Sequence, residues 1–227
     1  MAAQPRPDGG PRAALGSKGR AVAKSGKEQL LAAATRLFAE KGFYGASIAN
    51  IADEVGLTKQ ALLHHFGSKE ALYAAVLQEI ADALTERLAA LQRRESDPIA
   101  RLEAALIDGL ALETAGEAHL RVLMRELLDN PMRAATARRW MLKPYLDALV
   151  AMLLAVPGLE RLTPTAALGL VYQLVGAAHY FAISGPTLQA MYGPETYQAM
   201  RRASAEERRV LIRAVVATAK RGAAAGA

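Results

Sequence analysis

Apolar residues recur at three- and four-residue steps along most of this chain, and no segment sustains a two-residue alternation. That period matches one face of an α-helix and is wrong for a half-buried strand. Leu30, Ala33, Ala34, Leu37 and Phe38 begin the pattern, with a Ser25–Glu28 capping box before them and Gly42 as the stop signal. Ser47 caps a short helix burying Ile48, Ile51, Ala52 and Val55, which Gly56 ends. Thr58 caps the next, burying Leu62 and Phe66, and Ser68 starts a long one with Leu72, Val76, Ile80, Leu84, Leu88 and Leu91 at successive turns. Asp97-Pro98 begins a helix with Leu102, Leu106 and Leu110 inward, broken near Gly116. Leu120, Leu123, Met124 and Leu127 mark another, ended by Asn130-Pro131. A further helix runs to about Val156, Thr163-Pro164 starts one reaching Ser184, and a Ser204–Glu207 capping box opens the last, through about Lys220. The expectation is an all-α protein of about nine or ten helices with essentially no strand.

Composition narrows the chemistry. With no Cys there is no disulfide, thiol catalysis or Cys-bound zinc, which fits a reducing cytoplasm. A 52% hydrophobic content supplies a packed core. The net charge of +6 is unevenly placed: Arg6, Arg12, Lys18, Arg20 and Lys24 against Asp8 give residues 1–25 a net +4, while residues 26–70 balance five bases with five acids. The Gly/Pro/Ala-rich residues 1–24 are expected to form a disordered basic leader; they contain no apolar core of a secretory signal. Ala166–Ile183 has the minimum length to span a bilayer but holds Gln173 and His179, so a helix packed in protein is expected and no membrane partner.

The most informative run is residues 47–66, SIANIADEVGLTKQALLHHF. Ala52 is small where two helices would cross, Gly56 permits a positive φ in the turn, and Ile51, Val55, Leu57 and Leu62 close the wedge. This is the spacing of a helix-turn-helix, which projects its second helix into a major groove. An ordinary αα-hairpin has the same spacing, but its outer face needs no Thr58, Lys59, Gln60, His64 and His65.

Residues 27–75, about a fifth of the chain, resemble the DNA-binding region of TetR/AcrR-family transcriptional regulators. The pattern is Phe38-x-Glu40-x-Gly42-Phe43, then Ile51-Ala52-x-x-Val55-Gly56, then Leu62-x-x-His65-Phe66-x-Ser68-Lys69-Glu70-x-Leu72. The resemblance implies a homodimer on double-stranded DNA, at a palindromic operator, with an unknown small-molecule effector held in the larger helical part. It implies that Ser47 meets a phosphate at a helix N-terminus. Thr58, Lys59, Gln60 and Ala61 would open the recognition helix: Lys59 for guanine, Gln60 for adenine, Ala61 for a thymine methyl. His64, His65 and Lys69 would lie at backbone phosphates. Arg12, Lys18, Arg20 and Lys24 form a candidate arm on the DNA, set against a merely solvated tail.

Effector-pocket candidates come from helical faces bearing aromatic, Met or isolated polar groups: Met124, Trp140, Met141, Tyr145, Met152, Tyr172 and His179. The same residues also suit a plain core. Gly169, Gln173, Ala177 and Tyr180, with Val210, Leu211, Ala214, Val215 and Thr218, are candidates for a four-helix dimer contact. No catalytic residue, metal site or cofactor is expected: His64 and His65 diverge on a helix, and there is no phosphate-binding glycine loop or G-x-S-x-G run.

The expected organisation is a leader over 1–24, a helix-turn-helix domain over 25–72, and an effector and dimerisation domain over 73–222. Three functions fit. The first is a cytoplasmic transcriptional repressor released by a small, mostly apolar effector. The second is a ligand-independent DNA-binding protein that answers to a protein partner or organises the chromosome. The third is a helical small-molecule-binding protein or enzyme whose helix-turn-helix is only structural.

Overall fold

The computed structural model describes residues 26–107, 115–129 and 140–225, and every regular element among them is a helix. In chain order they are α1 (Gly26–Gly45), α2 (Ile48–Glu54), α3 (Lys59–Phe66), α4 (Lys69–Arg94), α5 (Pro98–Ile107), α6 (Ala115–Asp129), α7 (Lys143–Leu154), α8 (Pro164–Ile183), α9 (Gly185–Tyr192) and α10 (Pro194–Ala225). The basic leader, Ser25, Leu110 and Asn130-Pro131 lie outside the described residues.

Polar caps set the helix starts at α2, α3, α4 and α8. Ser47, Thr58, Ser68 and Thr163 each have extended backbone and accept the N–H three residues on with their hydroxyl oxygen. Gly42 kinks α1 at φ +71°, a backbone conformation that favours glycine, and a Cβ there would stand 3.1 Å from an Arg125 guanidinium nitrogen, which would have to shift by a few tenths of an ångström. The last helix begins ten residues before the expected capping box. Ser204 lies inside α10, and its hydroxyl donates to the Arg201 carbonyl one turn back.

Two apolar cores share α4. In the first, Leu30, Phe38, Ile51, Ala52, Leu62, Leu72 and Val76 pack together, with Phe38 edge-on to Tyr73 at 4.9 Å between centroids. This core does not stop at residue 72, because Tyr73, Leu77, Ile80 and Ala81 of α4 and Val122 and Leu123 of α6 belong to it. The second joins Leu88 of α4 with Leu102, Leu106, Leu149, Leu153, Val171, Leu174, Ile212 and Val216. Leu84 touches both. At the edge of the second core the buried Glu103 of α5 accepts from Arg213 Nε at 2.5 Å and pairs with Arg209 Nε at 3.3 Å, fastening α10.

Candidate nucleic-acid interface and ligand cavity

Helix α3 is held by one face and shows the other. Leu62 is fully buried, and Leu63 and Phe66 are half-buried against the first core. Thr58, Lys59, Gln60, His64 and His65 are exposed. The turn before α3 is tight: Gly56 has φ +69°, and the Leu57 N–H donates to the Ala52 carbonyl at 2.9 Å. Ala52 is itself fully buried, so a larger side chain there would push α2 and α3 apart.

The predicted contact residues divide by what their atoms already do. Ser47 and Thr58 use a lone pair to accept the Asn50 and Ala61 N–H groups, at 3.0 and 3.1 Å, and each keeps its hydroxyl hydrogen to donate. Lys59 and Gln60 are exposed on the first turn of α3, with Ala61 half-buried beside them. His64 and His65 close the last turn, their rings 6.1 Å apart and nearly perpendicular. Lys69 instead lays its ammonium over the Phe43 ring, 4.7 Å from the centroid.

The second feature is a cavity of about 270 Å³ between α4, α6, α7 and α8. Leu84, Leu123, Met124, Leu127, Trp140, Leu142, Tyr145, Leu146, Tyr172, Val175, Gly176, His179, Tyr180 and Ile183 line it. None of these carries a carboxylate, ammonium or guanidinium. Burial holds the His179 imidazole down to about pKa 4 and pushes the Tyr145 phenol up to about 12, so both are neutral near pH 7.

The family model for bacterial regulatory proteins of the tetR family matches residues 30–76, which run from α1 into α4. The HTH-type transcriptional regulator RutR of Escherichia coli K12 is 28% identical over 178 residues, spanning 78% of this chain and 83% of RutR. A transcriptional regulator from Rhodococcus sp. RHA1 superposes with a TM-score of 0.63 and 26% identity, over 84% of this chain and 96% of its own. Over residues 30–76 the chain carries the N-terminal region of the TetR family. FadR from Bacillus subtilis, solved with stearoyl-CoA, shares the fold at a TM-score of 0.64 and 17% identity, over 82% of this chain and 97% of FadR.

Five of the seven predicted pocket residues meet in the cavity: Met124, Trp140, Tyr145, Tyr172 and His179. Met141 and Met152 do not. Met141 precedes the first residue of α7, so helical spacing from it does not apply, and it packs on the first core. Met152 turns into the second core and is 2% exposed. Tyr180, predicted at a dimer contact, lines the cavity while remaining 72% exposed. Of the other dimer candidates, Gly169, Gln173, Ala177, Val210, Leu211, Ala214 and Thr218 are exposed, whereas Val215 is half-buried against the second core.

One connection has no local signal in the sequence. Arg125 of α6 donates from Nε to the Ala39 carbonyl at 2.9 Å and from Nη2 to the Glu40 carbonyl at 2.8 Å, clasping α1 just before its kink. On either side of Arg125 in sequence, Leu123, Met124 and Leu127 face the cavity. Helix α6 therefore touches both the cavity and the DNA-binding core, as α4 does through Leu84.

Proposed function

We propose that this protein is a homodimeric, cytoplasmic transcriptional repressor that leaves a palindromic operator when a small, mostly apolar molecule fills the cavity. The observation that carries the reading is the division of α3, with Leu62 sealed in the core and Thr58, Lys59, Gln60, His64 and His65 turned to solvent. A rod anchored this way can enter a major groove without unfolding anything. Exposure on the first turn of α3 supports Lys59 and Gln60 as readers of base edges, and the exposure of Ser47 and the two histidines supports them as phosphate contacts.

Pairing through α8 and α10 is supported by their outer faces. Leu168, Tyr172 and Tyr180 of α8 and Val210 and Leu211 of α10 are large apolar or aromatic side chains left exposed, with Gly169, Gly176, Ala177 and Ala214 among them to permit close approach. Helix α8 is also the one described helix long and apolar enough to cross a membrane. A second subunit explains its open face while leaving its inner side, Ala167, Val171, Leu174, Val175 and Ala178, in the protein.

Control follows from the two helices that reach both sites. An effector that fits the cavity better when α4 and α6 are shifted changes the separation of the two recognition helices, and only that difference in fit can drive release. The likeness to FadR, a protein solved with stearoyl-CoA, argues for including acyl thioesters among the compounds screened.

The test is enrichment of bound fragments from random DNA, followed by a release screen. A palindromic product supports the reading, and no enrichment overturns it. Lys59→Ala is expected to weaken the selected site about tenfold or more and to relax preference at one base pair.

A further inference from the structure

The cavity contains a polar atom that the described residues leave unserved. Tyr145 lies in the first turn of α7 and is 3% exposed, and its Oη has no hydrogen-bond partner among the described residues. A phenol is a good donor and a poor acceptor, because its oxygen lone pair is shared with the ring. Burying its O–H unpaired is unfavourable, and native proteins satisfy nearly all such groups. Tyr145 also lines the cavity, so a bound molecule can supply the missing acceptor.

The surroundings define the rest of that molecule. Leu84, Leu123, Leu127, Val175 and Ile183 present hydrocarbon. His179, neutral in this setting, offers one N–H and one lone pair from its ring. An anionic head would meet no cation among the described lining residues, and burying an unpaired carboxylate is far costlier than burying a carbonyl. Arg87 does act on Tyr145 electrostatically, but burial is the larger influence there and Arg87 does not line the cavity.

We propose that the cavity selects an uncharged, mostly aliphatic carbonyl compound (a ketone, ester or thioester) whose oxygen accepts the Tyr145 hydroxyl, with the His179 N–H as a second donor. The inference rests on the reading that the effector occupies this cavity.

Trp140 is the chain's single tryptophan and lines the cavity, so its emission reports occupancy without DNA. The full-length protein and its Tyr145→Phe variant are titrated at neutral pH with methyl hexyl ketone, octane and sodium octanoate. In the variant the ketone should bind about five- to tenfold more weakly while octane is unchanged. In the wild type, octanoate should bind at least about tenfold more weakly than the ketone. The carbonyl stretch of the bound ketone should lie lower in the wild type than in the variant, which reports the hydrogen bond itself. Equal ratios for ketone and octane, an unshifted stretch, or octanoate binding as tightly as the ketone would overturn the carbonyl assignment while leaving the cavity as a binding site. If none of the three probes changes Trp140 emission, the cavity reading falls and the assignment falls with it.

Discussion

Replacing Tyr145 by Phe should stabilise the ligand-free protein. The substitution removes one oxygen, keeps the ring in its place beside Leu149 and Met152 in the second core, and opens no cavity. What disappears is a buried hydroxyl with no partner among the described residues. Leaving such a donor unsatisfied costs about 1–3 kcal/mol. Some of that is recovered by small adjustments in the cavity, so a net gain of about 1 kcal/mol is expected, or roughly 2–4 °C in Tm for a chain of this size. Differential scanning calorimetry at one fixed protein concentration measures it, because any association of subunits would make Tm depend on concentration. The pH dependence is a second check. Burial raises the Tyr145 phenol from 10.0 to about 12. A raised pKa favours the folded state only while the group stays protonated, so the phenol is neutral in both states below about pH 9 and the gain there should be flat. Above pH 10 the unfolded wild type ionises first and loses further stability, which the variant escapes. A variant less stable than the wild type at neutral pH would refute the reasoning, since it would mean that the hydroxyl is satisfied in the native protein.

Three further outcomes are expected. Burial lowers the His179 pKa from 6.5 to about 4, so the unfolded chain binds the proton first; stability should fall on acidification between those values, by at most about 1.4 kcal/mol per pH unit, and His179→Leu should remove that part of the slope in urea melts. Arg125→Met keeps the aliphatic stem but loses the two donors to Ala39 and Glu40; with the side chain 40% exposed, a drop of about 1–2 kcal/mol is expected, read as a lower urea midpoint at unchanged m, and an unmoved midpoint would count against the clasp. Gly26 and Lys27 at the start of α1 share a cleft with His65 and Phe66 at the end of α3, so deleting residues 2–24, with Arg12, Lys18, Arg20 and Lys24, should flatten the plot of log operator affinity against log salt by up to about 3–4, and an unchanged slope rejects the arm.

What the sequence revealed was what is decided within a few residues. Ser47, Thr58, Ser68 and Thr163 cap their helices because the hydroxyl and the N–H it accepts are three residues apart, a relation visible in one line of text. The same pattern misled at Ser204 and Glu207. Nothing between Pro194 and Ser204 breaks a helix, so the chain had no start to cap, and the Ser204 hydroxyl turned back to the Arg201 carbonyl. The cavity was half legible. His179, Tyr172 and Tyr145 could be chosen by residue type, whereas Met141 failed because helix α7 starts two residues after it. The Arg125 clasp was out of reach, since the carbonyls it holds lie 86 and 85 residues away and any exposed arginine reads the same beforehand.

Helix α8 puts Tyr172 and Tyr180 on a boundary with two owners. Both rings wall the chamber, yet they are 56% and 72% open to the outside, on the side where another subunit would dock. Whatever covers that side also controls the doorway. A guest molecule should then come and go more slowly from the assembled pair than from a lone subunit, and its dwell time becomes a measure of how firmly the two halves are joined.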